Sequence, residues 1–259
     1  MDGLNLAIVR NARQSTAIGP AVATVTGRWR AGHDDARMGT LYLVRHGQAS
    51  LGAADYDQLS DLGRRQCLRL GQYWRARGLR FDAVLTGSLK RHAQSLAGIA
   101  EGLGDTPVPQ IRPGLDEYDS EALIAAVHRE ALQRPLDAEA ARQHFRLLRT
   151  GLDAWMRGET RPAGMPSHAE FSAGVAGVLG HVLQQGLGNV LIVSSGGPIS
   201  TAIGQILNTP VEATIELNLR IRNSAVSEFA FNPKRFSLLT FNTLPHLDDE
   251  QGAAMVSYA

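Results

Sequence analysis

The sequence contains a single cysteine, Cys67, among 259 residues. One thiol excludes an internal disulfide and a zinc site made of four cysteines. It also fits a reducing compartment, so we expect a cytoplasmic protein. Long apolar runs are missing as well, because no stretch approaches the roughly 18 consecutive apolar residues that a membrane-spanning helix needs. The sequence therefore predicts neither a disulfide framework nor a membrane anchor.

An excess of charge of one sign is also absent. The chain has 26 Lys and Arg against 25 Asp and Glu, which leaves a formal net charge of +1. Proteins that bind nucleic acid or anionic membranes mainly through charge carry a basic excess or a basic patch, so we expect neither partner. The apolar fraction of 44 % and the charged fraction of 20 % are ordinary for a soluble globular protein, which excludes disorder as the main state.

Residues 1–37 differ in composition from the rest of the chain. They carry five scattered arginines among small residues and show no helical or strand period. We interpret them as a loosely ordered extension, with a basic targeting arm as an alternative. A second alternative is that Met38, which directly precedes the first clear strand signal, is the true start and that the extension is not native. Residues 38–247 then form one domain, and residues 248–259 form a tail.

From residue 39 onward, strand and helix patterns alternate along the chain. Residues 108–112 predict an edge strand because Pro109 interrupts them, and we expect strands over 211–242. The alternation predicts an α/β protein, a three-layer α/β/α sandwich with helices on both faces of a mostly parallel central sheet. Buried strands are predicted from short apolar runs with β character at 41–44, 81–85 and 190–193.

Three of the predicted strands end in segments rich in polar side chains and glycine. These segments are 45–48, 86–91 and 194–197. Ligands of such folds bind beyond the carboxyl ends of the strands, so we expect the three loops to share one rim. Two guanidinium groups, an imidazole and glycine N–H groups at a helix start are suited to an anion, and phosphate fits their geometry best.

His46 is the candidate nucleophile of this rim. A neutral imidazole attacks phosphorus through one ring nitrogen while the other nitrogen is held as a donor, and it then carries the phosphoryl group as a phosphohistidine. Arg45 and Arg91 would stabilise the charge on the transferred oxygens and lower the pKa of His46. Glu117 follows the predicted edge strand, and it is the candidate acid that protonates the leaving oxygen and then activates water.

The stretch LYLVRHGQ at 41–48 resembles the signature of the histidine phosphatase superfamily, also called the phosphoglycerate mutase-like family. The likeness extends over about residues 39–242 and implies an α/β sandwich, a phosphohistidine intermediate and a reaction without metal or other cofactor. Four further segments resemble family patterns in the same chain order: LSDLGRRQ at 59–66, SLKRHAQS at 88–95, LDE at 115–117 and VLIVS at 190–194.

The residues themselves and the resemblance together give expected roles for individual positions. Helix-rich residues 120–166 are expected to form a cap beside the pocket and to select a small phosphorylated substrate. The sequence carries no signal for a particular substrate or oligomeric state. Catalytic roles fall on Arg45, His46, Arg91 and Glu117. Contacts with the substrate fall on Gly47, Gln48, Ser50, Ser195 and Gly196.

The chain departs from the family pattern at Ser195. The family has a second histidine in its last loop, where this chain reads SSGG at 194–197. A serine hydroxyl can bond a phosphate oxygen but carries no charge, and losing such a contact lowers a rate by about 10²–10³-fold. None of the other histidines is favoured as a replacement. His92 follows Arg91 directly but points about 100° away from it round the predicted helix.

We therefore expect hydrolysis of a phosphomonoester, slowed by the absence of the second histidine. The alternative is a phospholigand-binding or regulatory protein of the same fold that has no turnover. A phosphoglycerate mutase is disfavoured, because mutases of the family carry a Trp-Asn pair soon after Arg-His-Gly and residues 48–57 lack it.

Overall fold

The computed structural model describes residues 38–50, 57–128, 130, 138–186 and 188–258. The interpretations of residues 1–37 as an extension, a targeting arm or a non-native segment lie outside the described residues. Within the ranges above, no helix combines the length and the apolar character that crossing a bilayer requires.

Six strands of the described residues form one mixed sheet. They are β1 (Gly39–Arg45), β2 (Ala83–Thr86), β3 (Gln110–Ile111), β4 (Asn189–Ser194), β5 (Val226–Asn232) and β6 (Arg235–Thr243). Their order across the sheet is β3-β2-β4-β1-β5-β6. The neighbours β3, β2, β4 and β1 are parallel, whereas β5 joins β1 and β6 joins β5 in antiparallel pairs. The predicted sheet with mostly parallel strands is confirmed.

Helices connect the strands and follow recognisable local signals. The helices in the described ranges are α1 (Asp61–Ala76), α2 (Lys90–Leu103), α3 (Ser120–Val127), α4 (Ala138–Met156), α5 (His168–Gln185), α6 (Gly196–Leu207), α7 (Val211–Arg220) and α8 (Glu250–Ala253). The hydroxyl of Ser60 accepts the N–H of Gly63 and starts α1, and Ser167 with Glu170 forms the capping box that starts α5. Gly104 ends α2 in the left-handed conformation, with φ of +94°.

Helices cover both faces of the sheet, as the alternation predicted. Along β1, Leu41 and Leu43 face a core shared with α5 and α6, whereas Val44 faces a second core shared with α1 and α2. Close packing of α1 on α2 depends on small residues. A Cβ on Gly71 would lie 2.1 Å from the carbonyl oxygen of Ile99, so the backbones approach where glycine leaves room.

A third apolar cluster lies in the region predicted as a cap, 120–166. Leu123 of α3 and Trp155 of α4 are almost fully buried there, and Ile215 of α7 packs with them. The indole N–H of Trp155 donates to the carbonyl of Pro166 at 3.1 Å, and this bond joins α4 to the last residue of the segment. Helix α7 therefore completes the cluster from outside the predicted range.

The prediction of strands over all of 211–242 is wrong for its first ten residues, which form α7. Val211, Ile215 and Leu219 recur every four residues, and this helical period packs against the third cluster. The rest of the range contains β5 and β6. The predicted edge strand is confirmed, since β3 lies at one end of the sheet.

The segment 248–258 is bonded to the domain. The side-chain amide of Gln66 donates to the carbonyl of Met255 at 2.7 Å. The backbone N–H of Asn223 donates to the carbonyl of Ser257 at 3.0 Å. The residues expected as a tail are thus attached to α1 and to the chain just before β5.

Candidate active site

The candidate site lies at the carboxyl ends of the four parallel strands. β1 ends at Arg45 and leads to His46, β2 leads into α2, and β4 leads into α6. β3 leads through a 3-10 turn, Pro113–Leu115, to Glu117. Strand pairing sets Arg45 beside Ser194, and the N–H of His46 donates to the carbonyl of Ser194 at 2.8 Å. The loops expected to share one rim do lie at one edge of the sheet.

His46 is almost fully buried, and its ring has a defined tautomer. Its Nδ1 lies 2.7 Å from the carbonyl oxygen of Gly47. Because a carbonyl oxygen only accepts, Nδ1 carries the hydrogen and the lone pair of the neutral ring is on Nε2. Burial, and then the positive charges of Arg45 and Arg91, lower the pKa of His46 well below its usual value. The ring is therefore neutral at neutral pH.

Arg45 is oriented by backbone carbonyls. Its NH1 nitrogen donates to the carbonyl of Ile221 and, at 2.5 Å, to the carbonyl of Tyr258. The second contact comes from the segment at the end of the described chain. Arg45 is thus positioned by residues more than 170 positions away in the chain.

Arg91 is positioned by Asp57, a residue that the sequence argument missed. The carboxylate of Asp57 accepts the NH1 of Arg91 at 2.9 Å and the backbone N–H of Lys90, also at 2.9 Å. It therefore caps the N-terminus of α2 and holds the guanidinium at the same time. The signal available in the sequence was an acidic residue between the first loop and α1, which is too common to single out.

Glu117 is half-buried and faces the first turn of α6. Its Oε1 accepts the N–H of Gly197 at 3.0 Å. Burial raises the pKa of Glu117, although the charge of Arg91 and the N–H of Gly197 act in the opposite direction. The adjacent Gly196 begins α6, and a Cβ there would lie 2.7 Å from Oδ1 of Asn218. The close packing at this helix start requires both glycines.

Three residues predicted to contact substrate lie in the loop after β1. The N–H of Gly47 donates to the hydroxyl of Ser95 at 3.0 Å. The side-chain oxygen of Gln48 accepts the hydroxyl of Ser60 at 2.8 Å, which ties the loop to the start of α1. Ser50 directly precedes residues outside the described ranges. The first two contacts support the loop, and contact of these three residues with substrate stays a prediction.

The sequence disfavoured His92 as a replacement for the second histidine, but the structure brings it to the site. Ser195 is fully buried, and its Oγ lies 2.6 Å from Nε2 of His92. The ring centroids of His92 and His46 are 5.9 Å apart. An angle of about 100° round the helix does not separate these two side chains, because Cα–Cβ bonds lean toward the N-terminus of a helix. Arg91 and His92 both lie in the first turn of α2, so both side chains extend beyond the helix N-terminus toward the rim.

No three His, Cys, Asp or Glu side chains within the described residues group in a way that would hold a metal ion. Two guanidinium groups, from Arg45 and Arg91, instead lie close enough to His46 and Glu117 to act on the pKa of both side chains. Guanidinium groups match the oxygens of a phosphoryl group in charge and geometry.

Residues 41–244 match the model of one protein family, the histidine phosphatase superfamily (branch 1). The chain belongs to this superfamily. The match includes Arg45, His46, Arg91, Glu117 and Ser195. The resemblance inferred from the motifs is thereby confirmed.

Two curated relatives match this histidine phosphatase superfamily member over shorter segments. A 2,3-bisphosphoglycerate-dependent phosphoglycerate mutase from Mesorhizobium japonicum is 35 % identical over 88 residues, which cover 31 % of this chain and 42 % of the relative. A broad-specificity phosphatase from Saccharomyces cerevisiae is 31 % identical over 83 residues, which cover 30 % of this chain and 36 % of the relative. The chain therefore spans less than half the length of either relative.

A solved structure shares the fold over most of the chain. It is a phosphoserine phosphatase variant from Entamoeba histolytica in complex with phosphoserine, with a TM-score of 0.57 and 20 % identity. The match covers 81 % of this chain and 99 % of that chain. The likeness confirms the α/β architecture, and that neighbour binds a small phosphorylated compound.

Proposed function

We propose that this protein hydrolyses a phosphomonoester through a phosphohistidine formed on His46. The observation that carries the proposal is the hydrogen bond from Nδ1 of His46 to the carbonyl of Gly47. It leaves the lone pair of a neutral imidazole on Nε2, which is the form that attacks phosphorus. Arg45 and Arg91 add positive charge beside this ring.

In the first step, Nε2 of His46 bonds to phosphorus while the bond between phosphorus and the ester oxygen breaks. The protonated carboxyl of Glu117 gives its proton to the departing oxygen. The products are an alcohol, a phosphohistidine and the Glu117 carboxylate. Burial supports this role, because it raises the pKa of Glu117 and favours the protonated carboxyl before the step.

In the second step, the Glu117 carboxylate takes a proton from water while the water oxygen bonds to phosphorus. The bond between phosphorus and Nε2 of His46 breaks, and inorganic phosphate leaves. His46 regains its lone pair and Glu117 its proton. The site is then ready for a second substrate.

The transferred phosphoryl group carries negative charge on its oxygens in both steps. Arg45 and Arg91 stabilise this charge, and Ser195 with the N–H of Gly196 contributes further donors at the start of α6. A neutral hydroxyl at position 195 brings no positive charge. We expect it to leave the rate about 10²–10³-fold below that of a site with a charged donor there.

The choice of substrate is assigned to the cap. Tyr118 follows Glu117 in the chain. Its ring centroid lies 5.9 Å from that of Trp155 and 6.4 Å from that of Phe171. Side chains of the third apolar cluster therefore adjoin the acid. We assign the selection of a small phosphorylated substrate to residues 120–166 and α7.

The test compares wild type with His46→Asn, which keeps an N–H donor toward Gly47 but loses the nucleophile. Wild type should hydrolyse p-nitrophenyl phosphate and become labelled by a radiolabelled phosphomonoester in a rapid-quench experiment. His46→Asn should do neither, with an unchanged Tm. Hydrolysis by the variant at the wild-type rate would remove His46 as the nucleophile.

A second candidate is a protein that binds a phospholigand without turning it over. The observation that favours it is the uncharged Ser195 at the start of α6. This candidate predicts that orthovanadate raises the Tm of wild type, whereas neither hydrolysis nor labelling of His46 occurs across a panel of phosphorylated metabolites. Turnover of any member of the panel, lost in His46→Asn, excludes it.

A further inference from the structure

His92 is a fully buried histidine that the two proposed steps do not use. It lies in the first turn of α2, with Nε2 at 2.6 Å from Oγ of Ser195. Its ring centroid is 5.9 Å from that of His46. One imidazole thus lies beside the proposed nucleophile and bonds the hydroxyl that precedes α6.

The surroundings of His92 determine which ring nitrogen carries its hydrogen. Nδ1 has no hydrogen-bond partner among the described residues. Oδ1 of Asp116 is 3.9 Å from Nδ1, beyond hydrogen-bond distance. The carboxylate of Asp116 instead accepts the N–H and the hydroxyl of Ser88. A buried N–H without an acceptor is costly, so the hydrogen belongs on Nε2, where Ser195 accepts it.

The ring carries only this one hydrogen. Burial and the charge of Arg91 lower the pKa of His92 to about 3, although the charge of Asp57 acts in the opposite direction. His92 is therefore a neutral donor at neutral pH. Its partner Ser195 has both a lone pair to accept with and a hydrogen to give.

Gly87 leaves the space in which this ring lies. A Cβ on Gly87 would be 2.3 Å from Nδ1 of His92 and 2.5 Å from Oδ1 of Asp116. Any side chain at this position would displace the ring or the carboxylate. The turn after β2 is therefore shaped around His92 as well as around the start of α2.

We propose that His92 is a positioning residue for the hydroxyl of Ser195. By donating from Nε2, His92 occupies a lone pair of Ser195 Oγ and leaves the Ser195 hydrogen to donate to an oxygen of the phosphoryl group on His46. Hydrogen bonds in series polarise one another, which makes the hydroxyl a stronger donor. This inference rests on the proposed function, because it requires a phosphoryl group at His46.

The test is a double-mutant cycle between His92→Leu and Ser195→Ala. The readouts are kcat and KM for p-nitrophenyl phosphate and the affinity for orthovanadate. In the wild-type background, His92→Leu should lower kcat by about 10- to 100-fold with little change in KM. In the Ser195→Ala background it should lower kcat by less than about threefold. Equal losses in both backgrounds would indicate a merely structural role and would overturn the proposal.

Two further variants control the cycle. His92→Gln keeps an N–H donor of similar reach and should retain most of kcat, and a loss as large as that of His92→Leu would overturn the donor assignment. His246→Leu removes another buried histidine bonded to a serine hydroxyl, Ser224 Oγ at 2.9 Å. Its effect should be the same in both backgrounds. Should His92→Leu fail to fold, His92→Ala takes its place in the cycle.

The orthovanadate readout separates this proposal from the proposed function. If wild type neither hydrolyses p-nitrophenyl phosphate nor becomes labelled, the proposed function fails and the cycle is read from orthovanadate affinity alone. A loss of affinity from His92→Leu only when Ser195 is present supports the positioning role. An equal loss in both backgrounds, or no orthovanadate binding by wild type, overturns it.

Discussion

The backbone N–H of Gly197 donates to Oε1 of Glu117 at 3.0 Å. This bond joins the first turn of α6 to the chain that follows β3, and it depends on the missing side chain. A Cβ on Gly197 would lie 2.2 Å from Oε1 of Glu117 and 2.6 Å from the ring of Tyr118. The glycine is therefore as necessary as the carboxylate for the position of the proposed acid.

Gly197→Ala should displace the Glu117 carboxyl and lower kcat by about 10²-fold, because small misplacements of a catalytic group are costly. The measurement is kcat for an alkyl phosphomonoester, whose leaving oxygen needs the proton, together with Tm. Gly177→Ala is the matched control, since a Cβ at this exposed α5 position meets nothing within 4 Å. It should raise stability by about 0.5–1 kcal/mol and leave kcat unchanged. Wild-type kcat in Gly197→Ala would contradict the assignment of Glu117.

Glu117→Gln should slow phosphohistidine formation most for substrates with poor leaving groups. An alkyl ester oxygen needs a proton as it departs, so its transfer should fall by about 10²–10⁴-fold. The p-nitrophenolate oxygen is stable without one, so its transfer should change much less. Single-turnover labelling with the two substrates measures the difference. Equal slowing of both would show that Glu117 does not protonate the leaving oxygen.

Deletion of residues 255–259 should lower kcat/KM by about 10- to 100-fold, because Arg45 then loses a carbonyl that orients it. The carbonyl belongs to Tyr258 and accepts NH1 of Arg45 at 2.5 Å. Tyr258→Ala keeps the backbone carbonyl and is the matched control, with activity expected within about twofold of wild type. Full activity in the deletion variant would show that this contact is dispensable.

The free energy of unfolding should fall as the pH drops below 6.5, and His246 should contribute to the fall. Burial, and then the charge of Arg69, lower the pKa of His246 from 6.5 to about 3 in the folded protein. Between these values the unfolded chain binds a proton that the folded chain does not, so protonation favours unfolding. From pH 7.5 to pH 5 this contribution amounts to about 2 kcal/mol.

Urea unfolding of wild type and His246→Gln at pH 7.5 and pH 5 checks this expectation. The variant should lose about 2 kcal/mol less than wild type over the interval. An identical loss in both proteins would mean that His246 titrates normally in the folded state.

Local pattern was sufficient for the parts of the site that adjoin the parallel strands. Apolar runs ending in polar and glycine residues predicted where β1, β2 and β4 end, and parallel connection brings such ends to one edge of a sheet. For this reason Arg45, His46 and the start of α6 could be assigned to one rim from sequence. The strand prediction for 211–220 is wrong because Val211, Ile215 and Leu219 follow a helical period of four, whereas the strand pattern begins only in the residues that follow.

The sequence by itself determined the alternation of strands and helices up to α6, the rim and the superfamily, because each follows from periodicity or from a contiguous motif. Only the tertiary structure decided that Asp57 holds Arg91, 34 residues away, and that His92 bonds Ser195, 103 residues away. Such pairs depend on the orientation of the first turn of a helix relative to other elements and on close backbone approach at glycines. Both are set by packing between distant segments, so the local sequence around each residue does not predict the pairs.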